Sequence, residues 1–260
     1  MQKHYRYVIV TGNMKTITAV VPCYNEEKII QKTINRLKPV VDRIIVVDNG
    51  STDNSASIAK KNGVLVISES RKHKGIGVGY AMITGMNNAT TDYIITVDAD
   101  GEHPIERIPK LVEKAIASGV DFTNCSRTSR DAKHLMASVR SFGTKILNYV
   151  AFLLYGFKTQ DLLCGMWIVK SSIVPKLNLR QGDWNLVPEI KVSAWTNENI
   201  SYAELPITAT VRQEGSKQVL WRTFSIHFLF LLEFRLELLI KEVRNVFVPP
   251  IAKLFSLTVK

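Results

Sequence analysis

The chain has 260 residues, 46% hydrophobic and 22% charged, a composition that excludes intrinsic disorder and a collagen-like fibre. Lys and Arg number 34 against 23 Asp and Glu, so the net charge is +11 and the sequence pI about 9.6. Such a balance points to an anionic partner: nucleic acid, a membrane surface or phosphorylated small molecules.

Cys23, Cys125 and Cys164 are far apart and lack C-x-x-C spacing, which argues against a disulfide scaffold or zinc finger and for a reducing compartment. The opening residues lack the apolar core and cleavage site of a signal peptide. Ile146–Phe157 and Phe224–Leu232 are the longest apolar runs, and both fall short of the roughly 18 residues of a membrane span. A soluble or surface-bound protein is expected.

In chain order, Thr16–Val21 reads as a buried strand, and Glu26–Leu37 as a helix with apolar residues at Ile29, Ile30, Ile34 and Leu37. Arg43–Val47 is a second strand, stopped by the turn Asp48-Asn49-Gly50. Ser51 and Asp53 are suited to cap a helix over Asn54–Lys61, and Val64–Ile67 is a third strand. Gly75–Gly85 leads into a helix ending near Thr90, and Tyr93–Val97 is a fourth strand. Pro104–Ser118 is a helix and Asp121–Cys125 a further strand. Beyond it, Ala137–Phe157 and Phe224–Val246 read as helices, and Ile200–Arg212 contains a strand.

Apolar strands alternating with helices predict an α/β fold, a mostly parallel central sheet flanked by helices. The partition expected is one domain over 1–222 and a C-terminal amphipathic helical extension over 223–260. Ligands of such sheets bind outside the carboxyl ends of the strands, so functional residues belong just after Val21, Val47 and Val97.

Asp98-Ala99-Asp100 is the strongest local signal. Residues i and i+2 of an extended chain point the same way, so the two carboxylates converge, and a divalent cation would relieve their repulsion. Glu102 adds an oxygen ligand within reach; the alternative is a solvated turn. Pro22, Tyr24, Asn25 and Glu26 form either a base or ribose contact or an acidic helix N-terminus. Asp48 is placed for the same ligand, while Asp53 serves it or caps the helix. Lys74–Gly79 is basic and glycine-rich but is neither a P-loop nor a dinucleotide fingerprint.

Basic residues group at Arg127, Arg130, Lys133, Arg140 and Lys145, and again at Arg212, Lys217 and Arg222. They read as a phosphate site or as a solvated face. Ile146–Phe157 beside the first group suits a membrane, or is a core helix. Phe224, Phe228, Phe230, Leu231, Phe234 and Leu238 face a bilayer, the protein's own core or a second copy. The five histidines show no ligand spacing, and scarce aromatics among the basic groups disfavour nucleic acid as a partner.

Together these segments resemble glycosyltransferase family 2, and within it the synthases that load a sugar onto dolichyl or another polyprenyl phosphate. VVPCYNEE is similar to the family's P-x-Y-N-E, VVDNGSTDNS to V-D-D-G-S-T-D, and HKGIGVGYAMITG to K-G-x-G-x-A. ITVDADGEHP resembles the metal-binding D-A-D-x-Q-H-P, DLLCGMWIVKSS the D-x-x-C-G-F segment, and RQEGSK the R-x-x-G-x-S-K near the phosphates. The match spans about Thr16 to Lys217. Asn49, Glu102 and Met166-Trp167 depart from the pattern.

The resemblance implies a GT-A fold and inverting transfer of a hexose from a GDP-mannose or UDP-glucose type donor to dolichyl or polyprenyl phosphate. It implies that Pro22, Tyr24, Glu26, Asp48, Asp53, Gly75 and Gly77 hold the nucleotide. Asp98, Asp100 and Glu102 would hold Mg²⁺ or Mn²⁺. Arg127, Arg140, Thr144, Arg212 and Lys217 would hold the acceptor phosphate. The protein would sit in the cytoplasm, peripheral on the cytosolic face of a membrane. The alternative is a soluble family-2 enzyme acting on a hydroxyl, with Asp161 or Glu189 as general base.

Overall fold

The computed structural model describes residues 8–10, 13–72, 77–101, 103–129, 135–208 and 220–257. A hairpin of β1 (Val8–Val10) and β2 (Asn13–Lys15) precedes the main sheet. That sheet has seven strands: β3 (Ile17–Cys23), β4 (Arg43–Asp48), β5 (Leu65–Ser68), β6 (Tyr93–Thr96), β7 (Phe122–Ser129), β8 (Trp167–Lys170) and β9 (Tyr202–Thr208). Their spatial order is β5-β4-β3-β6-β8-β7-β9, and β8 runs antiparallel to both its neighbours. The other pairings, β3 with β4 and β6, β4 with β5 and β7 with β9, are parallel.

Helices α1 (Ile30–Leu37), α2 (Ser55–Lys61), α3 (Val78–Asn87), α4 (Ile108–Ala117), α5 (Leu135–Tyr155), α6 (Leu186–Thr196) and α7 (Leu220–Leu257) complete the fold. Alternation along β3 explains why both faces are covered. Ile17, Ala19 and Val21 join Ile30, Ile34 and Leu37 of α1 and Ile108 and Val112 of α4 in one core. Val20 points the other way, into a second core with Met82 and Met86 of α3 and Leu186 and Ile190 of α6. Each fully buried side chain of this kind contributes about 1.5–3 kcal/mol.

The chain runs from β3 outward to β4 and β5, then returns to the opposite side of β3 as β6. The order therefore reverses between β3 and β6, and their carboxyl ends flank a crevice.

Three elements depart from the sequence expectations. β8 is a four-residue strand in the interior of the sheet, too short to stand out in a segment read only for its motif. α6 escapes a periodicity reading because Pro188, Glu189 and Lys191 are buried along with its apolar residues, so no polar face marks it. The β1–β2 hairpin also lay outside the predicted elements.

At the C-terminus, the face of Phe224, Phe228, Phe230, Leu231, Phe234 and Leu238 packs on the protein itself. It meets Leu147 and Ala151 of α5 and Phe157, Leu162 and Val192. Of the three readings left open for these side chains, the protein's own core is the one observed. Among the described residues, no helix is long and apolar enough to cross a membrane.

Candidate active site

The crevice is built first from the ends of β3 and β4. Cys23 and Asp48 are register partners there, and Pro22 lies within the buried strand. Asn25 adopts the left-handed conformation at φ 53°, turning the chain sharply after Tyr24. The turn is tied to the loop after β4: the Asn25 amide donates to Ser51 Oγ at 3.0 Å, and Glu26 N–H donates to Ser55 Oγ at 2.8 Å. Ser51 thus serves the 24–27 turn rather than capping α2. Asp53 does both, accepting from the Ser55 amide at 2.9 Å and from the Glu27 amide at 3.1 Å. Burial raises the Asp53 pKa, and the hydrogen bonds from Ser55 and Glu27 outweigh it and hold the carboxyl below its ordinary value.

Asp48 is buried at the lip of this crevice, its carboxylate accepting from the Ser51 amide at 3.2 Å. The Tyr24 ring is exposed at the same lip, with the Lys72 ammonium 5.5 Å from its centroid. That ammonium also donates to the carbonyl and the side chain of Asn49, at 2.6 and 2.9 Å. Asn49, the departure from the second Asp of the family motif, is therefore an acceptor for a lysine. Gly77 closes over it: a Cβ there would lie 2.3 Å from Asn49 Oδ1 and 2.5 Å from the Arg71 carbonyl, so only glycine permits this approach. Gly75 lies outside the described residues.

The other wall is the turn after β6. Asp98 and Asp100 flank the buried Ala99, and both carboxylates are partly exposed at the strand end. The Asp98 amide donates to His103 Nδ1 at 3.0 Å. Nδ1 must keep its lone pair to accept, which puts the ring proton on Nε2, 3.6 Å from Asp98 Oδ2. His103 is buried and packs by hydrogen bond on the Cys164 thiol. On the β8 side, a Cβ on Gly165 would stand 3.2 Å from Asp98 Oδ2. Glycine there lets the carboxylate lie against the chain entering β8.

Asp98 and Asp100 present hard carboxylate oxygens, the donor type suited to Mg²⁺ or Mn²⁺. Among the described residues no three acidic, His or Cys side chains close into a ready ligand set, and Glu102 lies outside them. Two carboxylates at an open crevice suit an ion that takes its remaining ligands from water and substrate phosphates.

Arg127, near the end of β7, grips Asp161 through two hydrogen bonds, Nε to Oδ2 at 2.5 Å and Nη2 to Oδ1 at 2.9 Å. The Asp161 side chain is almost wholly buried. The same loop is held from below by Lys191 of α6, whose fully buried ammonium donates to the carbonyls of Asp161 and Cys164 at 2.9 and 2.8 Å. Burial pushes the Lys191 pKa down to about 8. Thr144 is buried on α5. Glu189, buried on α6, accepts the amides of Arg180 and Gln181, and burial raises its pKa against those bonds.

Asp48, Tyr24 and Gly77 thus lie about the loops that follow β3 and β4, and Asp98 and Asp100 lie beyond the end of the adjacent parallel strand β6, with Arg127 paired to Asp161 on the β7 side. The Arg140 side chain, Arg212 and Lys217 lie outside the described residues. Sequence reasoning passed over His103, Lys72 and Lys191. His103 follows Asp98 by five residues, but the search for metal-ligand spacing could not reveal a histidine serving a backbone amide.

The family model for glycosyl transferase family 2 matches residues 18–177. The Methanocaldococcus jannaschii protein MJ1222 is 36% identical over 202 residues, 75% of this chain and 82% of that protein. A Methanococcus voltae UDP-N-acetylglucosamine–dolichyl-phosphate N-acetylglucosaminyltransferase is 29% identical over 217 residues, 74% of this chain and 85% of its own. In fold, the chain is similar to Mycobacterium tuberculosis glucosyl-3-phosphoglycerate synthase, solved with Mn²⁺, UDP and phosphoglyceric acid. The TM-score is 0.68 at 18% identity, covering 85% of this chain and 78% of that one. A D-x-D turn at the switch point of a mostly parallel sheet, within a family match that spans most of that sheet, makes this chain a member of glycosyltransferase family 2 and a glycosyltransferase.

Proposed function

We propose that the protein moves a hexose, with inversion, from a GDP- or UDP-linked donor to a polyprenyl phosphate of the dolichyl type. Support comes from the Methanococcus relative and from a dolichol-phosphate mannosyltransferase of Pyrococcus furiosus. The latter is 27% identical over 80% of this chain and 60% of its own length.

The observation that carries the choice of acceptor is the state of Asp161 and Glu189. A hydroxyl acceptor needs a general base. Asp161 is closed by the two-pronged grip of Arg127, and Glu189 faces the backbone amides of Arg180 and Gln181. A phosphate monoester, with a second pKa near 6, is largely dianionic at pH 7 and serves as its own nucleophile. The chain then needs only to hold it in line, a task we assign to Arg127, Arg140, Thr144, Arg212 and Lys217.

Tyr24, Asp48 and the Gly77 turn would hold the nucleoside, with Pro22, Glu26, Asp53 and Gly75 around it. Asp98, Asp100 and Glu102 would hold Mg²⁺ or Mn²⁺, which when bound offsets charge developing on the departing diphosphate. A lipid-linked acceptor would place the protein peripherally on the cytosolic face of a membrane.

The second reading is a hydroxyl acceptor in solution, with Asp161 or Glu189 as the general base it would need. Incubation with radiolabelled GDP-mannose or UDP-glucose, Mn²⁺ and total lipid extract separates the two. Label in the organic phase supports the lipid phosphate. Label confined to a water-soluble product overturns it.

A further inference from the structure

The segment that joins α5 to β8 reaches both the Arg127 side and the Asp98 side of the candidate site, through residues only three apart. Asp161 takes the Arg127 guanidinium on both carboxylate oxygens and the Arg127 amide at 3.3 Å. Cys164 is hydrogen-bonded through its thiol to His103, the ring that receives the Asp98 amide. Gly165, next in the chain, lies against Asp98 and accepts the Thr96 hydroxyl of β6 at 2.7 Å. Between Asp161 and Cys164 the chain turns at Leu162 and Leu163, outside any strand or helix. The spacing of Asp161 and Cys164 is therefore not fixed by a regular ladder of backbone bonds.

One side chain holds both residues. Lys191 Nζ donates to the Asp161 carbonyl at 2.9 Å and to the Cys164 carbonyl at 2.8 Å, and the lysine is fully buried. Its helix, α6, is wedged between two cores. Leu186, Ile190 and Ala194 pack with Val20 of β3, and Val192 packs with Leu147 and Ala151 of α5. The ammonium thus works from a rigid base. Taking an ammonium out of water is costly, and an apolar side chain of similar volume would avoid that cost. It would also take a donor from both carbonyls and cut the tie between the two ends of the turn. Stability alone does not call for a lysine here, whereas a fixed spacing between Asp161 and Cys164 does.

We propose that Lys191 is a positioning residue for sugar transfer. It sets Arg127 through Asp161 and Asp98 through Cys164 and His103, so one buried ammonium keeps the acceptor-phosphate arginine in register with a carboxylate assigned to the metal. The acceptor half of this role rests on the lipid-phosphate reading, and the carboxylate half does not. The loops after β3 and β4 are tied to each other instead, Asn25 to Ser51 and Glu26 to Ser55, so nucleoside binding is expected to be indifferent to Lys191.

The test compares the full chain with Lys191→Met, which loses the donors, and Lys191→Gln, which keeps an amide donor on a shorter stem. In Lys191→Met, Mn²⁺ affinity by calorimetry should fall by about 10–100-fold, the loss that follows removal of a group supporting a metal ligand. UDP and GDP affinities measured without metal should stay unchanged. Lys191→Gln should recover part of the Mn²⁺ affinity. Hydrogen exchange at Leu163, whose amide donates to Asp161 Oδ1 at 3.2 Å, should quicken in both variants. With a short-chain isoprenyl phosphate as acceptor, its KM should rise about 3–30-fold in Lys191→Met, and that rise should vanish in an Arg127→Met background.

Unchanged Mn²⁺ affinity, or equal losses of Mn²⁺ and metal-free nucleotide affinity, overturns the proposal. So does an acceptor KM that stays put, or that rises as much in the Arg127→Met background. Should Lys191→Met fail to fold, Lys191→Gln decides by the same comparison: weakened Mn²⁺ with intact nucleotide binding supports the role, and any other pattern overturns it. Failure of the parent enzyme to glycosylate the isoprenyl phosphate overturns the lipid-phosphate reading alone, because the metal, nucleotide and exchange measurements need no acceptor.

Discussion

The backbone amide of Asp98 donates to His103 Nδ1 at 3.0 Å, while the other ring nitrogen of the same histidine stands 3.6 Å from Asp98 Oδ2. One buried ring thus fixes both the main chain and the carboxylate of an aspartate at the switch point. Replacing His103 with Phe orphans the amide and removes the ring nitrogen that stands beside the carboxylate. The expected cost is about 1–3 kcal/mol of stability and about 10–100-fold in Mn²⁺ affinity. Asn, which keeps an acceptor near Nδ1, should recover part of both. Calorimetric titration with Mn²⁺ reads the affinity, and an unchanged value in His103→Phe would remove the positioning role.

Asp100→Asn keeps the size of the side chain and removes its charge. With donor saturating, kcat for sugar transfer should fall by about 10²–10³-fold, the scale of losing one preorganised electrostatic contribution at a reacting diphosphate. Raising Mn²⁺ should restore only a fraction. Turnover within a few-fold of the parent enzyme would show that Asp100 stands outside the chemistry.

The Arg127–Asp161 pair makes the two partners unequal. Asp161 is nearly buried, whereas the Arg127 side chain keeps 20% of its surface in solvent. Arg127→Met leaves a buried carboxylate without its guanidinium and should cost about 3 kcal/mol, whereas Asp161→Asn leaves a cation that water can reach and should cost less. Urea unfolding of both single variants and the double variant measures the coupling. Equal costs for the two single variants would contradict the burial argument.

Glu69, whose amide donates to the Asp48 carbonyl at 2.8 Å, offers a pH prediction at the edge of the candidate site. Hydrogen bonds from the Arg71 guanidinium, working against burial and aided by the Thr84 hydroxyl, pull its pKa from 4.5 down to about 2. A carboxylate whose folded pKa lies below its unfolded one stabilises the protein above the unfolded value and loses that contribution as pH falls through the folded one. Glu69→Gln should therefore be less stable at pH 7 by about 1–3 kcal/mol, a range that allows for the solvent around Arg71. The gap to the parent should close between pH 4.5 and 2. Thermal melts across that window test it, and a gap independent of pH would rule the ion pair out as its source.

Much of the first half was legible before any coordinates. β3, β4 and β6 each announce themselves as short apolar runs, because a parallel strand buried on both faces has no polar alternation to hide it, while β5, at the sheet edge with Leu65 exposed, shows only through its apolar residues Leu65–Ile67. The Asp98-Ala99-Asp100 turn was placed at a strand end by the same reasoning. α6 and β8 were not legible. Buried Glu189 and Lys191 satisfy their polarity with backbone groups from distant segments, and one chain read alone cannot say where those partners are.

Local pattern by itself determined the α/β class, the basic character and the acidic turn at the end of β6, since each depends on neighbours within a few residues. Only the tertiary structure decided that His103 serves Asp98, that Arg127 closes on Asp161 across 34 residues, and which face of α7 turns inward. α7 is apolar on two sides, so its sequence permits either face to be buried. Packing against α5 selects one, because only there do Phe230, Leu231 and Phe234 meet a complementary apolar surface.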